Sequence, residues 1–78
     1  MSGAFVVQVA AFSDRYGAQS LATKLKKVGF PAFTETVTTD KGTLHRVRIG
    51  PYSSREVADA ARAKLKAAGF VGVVARNA

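Results

Sequence analysis

The sequence predicts an α+β domain of six elements in the order β-α-β-β-α-β, and three observations carry that reading. KLKKVGF at Lys24–Phe30 returns as KLKAAGF at Lys64–Phe70, 40 residues later. The same shift lays VQVAAFS (Val7–Ser13) on VRIGPYS (Val47–Ser53), and Arg15, Ala18 and Leu25 on Arg55, Ala58 and Leu65. In each copy a β-branched run precedes apolar residues at helical spacing, followed by a glycine and a second β-rich run. A period of this length marks one supersecondary unit used again, and solenoids need at least about three units. Two units imply one closed domain with an internal two-fold repeat of 40 residues.

The elements follow in order. Phe5–Phe12 is short and rich in β-branched residues, which suits a strand. Ala18, Leu21, Ala22, Leu25 and Val28 then recur on one helical face. Ser13 is the expected N-cap, with Asp14 in the first turn at the positive dipole end. Gly29 suits a left-handed helix terminus, Pro31 blocks continuation, and Ala32–Thr38 is the second strand. Asp40-Lys41-Gly42 supplies hairpin chemistry leading into a third strand at Leu44–Ile49. Ser53-Ser54-Arg55-Glu56 reads as a capping box. Val57, Ala58, Ala61, Leu65 and Ala68 form the second stripe, Gly69 ends it, and Val71–Ala75 is the last strand. This is the split ferredoxin-like, or RNP-like, arrangement: a four-stranded antiparallel sheet with the first and third strands central. Right-handed crossovers put both helices on one face. The domain is expected to span residues 5–76, with residues 1–4 an artificial start or linker remnant.

Seventy-eight residues lie near the lower limit for one self-sufficient core, and 47% apolar composition is globular. Without cysteine there is no disulfide and no thiolate metal site, and the redox compartment stays open. No apolar run approaches the ~20 residues that span a bilayer, so membrane contact is expected only through segments outside this chain. Twelve basic residues against five acidic ones give +7, which favours an anionic partner. Much of that charge (Lys24, Lys26, Lys27, Arg62, Lys64, Lys66) reads as solvated helix faces. His45 is the single histidine and shares the parity of the core residues, so no transition-metal site is expected. Ser13 and Ser53 stand at cap positions without a base, and Asp14, Glu56 and Asp59 form no converging pair. Neither catalysis nor a cofactor is expected.

Strand parity divides the central strands into two faces. Val7, Val9, Val47 and Ile49 belong under the helices. Val6, Gln8 and Ala10 point the other way with Leu44, Arg46 and Arg48, and Val74 joins them from the last strand. An uncovered antiparallel face needs polar residues for solubility alone. Two arginines beside a glutamine supply more than solubility. Guanidinium forks match carboxylates and phosphates, and an amide both donates and accepts. Phe12 and Tyr52 close the strand-to-helix corners and are expected to pack there.

FVVQVAAFS, KLKKVGF, LHRVRIGPYSS and KLKAAGF, in this order, closely resemble the SPOR (sporulation-related repeat) domain over roughly Phe5–Arg76. RVRIGPYSSREVADAARAKL is the most specific stretch. The resemblance implies a bacterial envelope module, periplasmic and septal, that binds peptidoglycan and prefers glycan strands lacking stem peptides. It places ligand contacts at Gln8, Ala11, Leu44, Arg46 and Val74, and parity adds Arg48 and Val6. The family often has an aromatic residue where Leu44 stands, a glycine at Ala10 and, in some members, a serine at Ala11. Single-stranded RNA binders share the topology and the charge, but they stack bases on aromatics of the central strands. Gln8, Leu44, Arg46 and Arg48 include no aromatic, so no nucleic acid is expected. A third reading is a protein–protein adaptor of the division machinery that uses the helix faces.

Overall fold

Leu25 and Leu65, one from each KLK segment, have no exposed surface, and around them the two helices meet the sheet. The computed structural model describes residues 3–77. Its elements are β1 (Phe5–Phe12), α1 (Arg15–Lys27), β2 (Ala32–Thr39), β3 (Gly42–Tyr52), α2 (Arg55–Ala67) and β4 (Val73–Arg76). The strands form one antiparallel sheet in the order β2-β3-β1-β4, an α+β architecture of the expected order. Ala18, Ala22 and Leu25 of α1 and Ala58 and Leu65 of α2 pack on Val7, Val47 and Ile49. Each fully buried leucine or valine contributes about 1.5–3 kcal/mol. Phe12 and Tyr52 pack at the margin of this core, as their corner positions suggest.

Both helices start one residue later than the sequence suggests. Asp14, rather than Ser13, caps α1, accepting from Tyr16 N at 3.2 Å and Gly17 N at 3.0 Å. Ser54, rather than Ser53, caps α2, accepting from Val57 N at 3.1 Å. The preceding strands run to Phe12 and Tyr52, so Ser13 and Ser53 are spent in leaving the sheet. The next residue then takes the extended conformation that a cap requires. The helix ends are alike. Gly29 N and Gly69 N donate to Lys26 O and Lys66 O, and Phe30 N and Phe70 N to Leu25 O and Leu65 O, all at 3.0 Å. This is the Schellman pattern, and φ near +95° at both positions is why each is glycine.

Two departures reposition side chains. The β1–β3 ladder pairs Gln8 with Arg48 but Ala10 with Val47, so Val9 is an extra residue and β1 bulges there. Beyond the bulge the parity reverses. Ala10, expected on the open face, lies opposite buried Val47, while Ala11 lies opposite Arg46. Val9 is accordingly only half-buried against the core margin. The last strand begins at Val73 rather than Val71, because Gly72 O accepts from Arg62 Nε at 2.9 Å instead of joining the ladder. A Cβ at Gly72 would lie 2.5 Å from Val7 Cγ1, so this approach needs glycine. Of residues 1–4, Met1 and Ser2 lie outside the described residues. Gly3 O and Ala4 O accept from Asn77 at 3.1 and 2.8 Å.

Candidate ligand-binding face

The sheet face opposite the helices is built from register. The turn at Asp40-Lys41 pairs Thr39 with Gly42, and the ladder then runs unbroken to Ala32–Ile49. It sets Val37, Glu35 and Phe33 of β2 beside Leu44, Arg46 and Arg48 of β3. Across the central pair, Arg48 meets Gln8 and Arg46 meets Ala11. Gln8 in turn faces Val73 of β4, and Val6 faces Ala75. The expected strip of Gln8, Arg46, Arg48 and Leu44 is therefore brought together on one surface, and Ala11 joins it through the bulge.

Three expected positions sit differently. Val74 pairs with Val7 and packs against the core, so it does not share the open face; Val73, 64% exposed, takes that place. The cause is phase: β4 is apolar at both parities, and only its pairing with β1 sets which residue points in. Val6 belongs to the open side by register but has no exposed surface. Arg48 is also buried, at 5% exposure.

Arg48 is buried because it is claimed from both sides. Its Nε and Nη2 donate to Gln8 Oε1 at 3.2 and 3.1 Å, and its Nη1 lies 3.5 Å from Glu35 Oε1. Arg46 Nη1 stands 3.7 Å from the same Glu35 oxygen, with a third of its side chain exposed. Of the two guanidiniums, only Arg46 is accessible to an incoming anion. Where β4 stops short, a shallow cleft of about 370 Å³ opens, lined by Gln8, Val9, Ala10, Ala11, Val73 and Ala75. A second hollow, at Tyr16, Gln19, Ser20, Thr23, Lys24 and Lys27, is lined by one helix alone.

Sequence reading missed Glu35, Phe33 and Val73. The first two were within reach: counting back from the two-residue turn pairs them with the arginines. Val73 was not, for lack of any phase signal in VGVVAR.

Comparison with known families decides the membership. The SPOR domain model matches residues 2–76. The chain belongs to the SPOR domain family. Among solved structures, this SPOR domain is similar to the peptidoglycan binding domain of the B. subtilis cell wall lytic enzyme CwlC. Identity is 36%, the TM-score is 0.79, and 100% of this chain and 94% of that one are covered. The RlpA SPOR domain from Pseudomonas aeruginosa is 30% identical with a TM-score of 0.78, over 92% of this chain and 97% of that one. The Spor protein DedD is 28% identical with a TM-score of 0.72, over 95% of this chain and 39% of that one. No curated protein sequence gives a significant match.

Proposed function

We propose that this SPOR domain binds peptidoglycan on its uncovered sheet face, without catalysis, and prefers glycan strands stripped of stem peptides at the bacterial division septum. Membership of the family and likeness to a peptidoglycan binding domain support the ligand class. The observation that carries the finer reading is the accessible Arg46 guanidinium, set beside Gln8 and the Ala11–Val73 cleft on a face that no helix covers.

The chemistry follows from what stripping does. In intact peptidoglycan the stem peptide joins the lactyl group of muramic acid through an amide. Removing the peptide leaves a free carboxylate and removes the bulk that would hold a strand off a flat sheet. Arg46 then takes the carboxylate, with Gln8 on polar sugar groups and Leu44, Ala11 and Val73 under the sugar faces. A charge-assisted hydrogen bond contributes about 1.5–3 kcal/mol, or roughly tenfold to a hundredfold in affinity. Part-exposed, it weakens as salt rises. The helix side stays free for a partner from the division machinery, and membrane attachment would run through segments beyond these residues.

Co-sedimentation with sacculi, with and without amidase treatment and with competitor RNA present, tests the reading. Retention should rise on treated sacculi and resist the competitor; RNA that abolishes it would point to an RNA-binding module instead. A synthetic denuded glycan titrated against its lactyl amide at low salt separates charge from bulk. The charged strand should bind at least about tenfold more tightly. Equal affinities would leave only a steric preference.

A further inference from the structure

We infer that Arg48 sets the selectivity of this face without touching the ligand: it locks the Gln8 carboxamide so that only the NH₂ group faces outward. Gln8 is then an obligate donor, matched to the acetamido carbonyl of an N-acetylated sugar. The inference rests on the glycan reading above and gives it a chemical direction.

A free glutamine offers an acceptor and two donors and adapts to either kind of partner. Gln8 does not have that freedom. Arg48 Nε and Nη2 converge on one atom, Oε1, at 3.2 and 3.1 Å. A guanidinium carries donors only, so the atom facing it must be the oxygen. Nε2 is left on the other side, without a partner among the described residues and not buried.

The lock itself is held. Arg48 is 5% exposed, and its far nitrogen, Nη1, makes no hydrogen bond but faces Glu35 Oε1 at 3.5 Å. Turning the guanidinium away from Gln8 would leave a buried charge without its acceptor, which is costly. Glu35, Arg48 and Gln8 thus form a relay across β2, β3 and β1. Arg48 is a positioning residue; Gln8 makes the contact.

Two synthetic denuded tetrasaccharides separate this from a structural role: one with acetamido groups at the 2-positions, the other with hydroxyls there. Both are neutral at that position, so a change of protein charge cancels in the ratio of their affinities. Wild type should prefer the acetamido strand by about tenfold, one hydrogen bond's worth. Gln8→Glu keeps an oxygen on Arg48 but turns another outward, so the preference should vanish or invert while the thermal midpoint holds. Arg48→Lys keeps the charge and loses the fork, freeing the amide, and should bring the ratio towards one. A purely structural role would lower both affinities and leave the ratio alone. Should Arg48→Lys not fold, the Gln8→Glu ratio decides by itself. Wild-type binding with an unchanged ratio in Gln8→Glu overturns the lock and leaves the glycan reading standing. Wild type binding neither strand overturns both.

Discussion

Arg46 and Arg48 stand two positions apart on the same strand and the same face, yet they differ in kind. Arg46 is a surface cation whose pairing with Glu35, at 3.7 Å and partly exposed, contributes little to stability. Arg48 is a buried cation whose head is claimed by Gln8 and Glu35. Arg46→Ala should therefore change the unfolding free energy by no more than about 0.5 kcal/mol. Arg48→Ala removes packing as well as charge and should cost roughly 1–3 kcal/mol. Urea titrations of both variants measure the contrast. Equal midpoints would mean that the Arg48 side chain is solvated in the free domain. The difference explains why residue type alone does not identify a ligand contact. Parity places both arginines on the sheet face opposite the helices, but accessibility depends on what flanks each head group.

At the scale of elements, the caps are the clearest lesson. Serine favours a cap wherever it occurs, so Ser13 and Ser53 are natural choices from local sequence. The choice falls instead on Asp14 and Ser54, because the sheet claims each chain through Phe12 and Tyr52. Asp14→Ala should cost about 1 kcal/mol, since two N–H groups lose their acceptor. Ser13→Ala should be close to neutral. Thermal unfolding of the pair checks this, and a larger loss at Ser13 would restore the earlier boundary. β4 shows the same principle from another side. Its start is set by Arg62 drawing away the Gly72 carbonyl, a contact from α2 rather than a local preference.

For the whole molecule, the two leucines of the KLK segments carry the argument. A domain of this size typically retains only about 3–5 kcal/mol of net stability. Leu25→Ala or Leu65→Ala should cost roughly 2–5 kcal/mol, so either variant should be largely unfolded at 37 °C, measured by loss of the cooperative melting transition. Retention of the wild-type midpoint in both would mean that the two helical stripes do not share one core. The charge has a whole-molecule reading as well. Of the +7, the helix lysines serve helix ends: Lys24, Lys26 and Lys27, and Lys64 and Lys66, lie in last turns where cations offset the dipole. Of the two arginines on the open face, Arg46 is the part-exposed one and Arg48 is buried.

Element order, the centres of the helix stripes at Ala18, Ala22 and Leu25 and at Ala58 and Leu65, the glycine-ended helices and the face occupied by Leu44, Arg46 and Arg48 were legible in the sequence by itself. Each depends on local periodicity or on a turn of defined length, and β3 keeps one uninterrupted alternation against β2. Val28 and Val57, expected on the stripes, stand exposed at their margins. Tertiary structure alone decided the rest. The bulge at Val9 moves Ala11 onto the open face and Ala10 off it, and a bulge exists only relative to the strand it mispairs with. Val73 rather than Val74 faces outward because β4, apolar at both parities, takes its phase from β1. Arg48 is buried because an amide from β1 and a carboxylate from β2 reach its head group together. Pairing phase and the burial of a charge are properties of neighbours distant in sequence, and no window along the chain contains them.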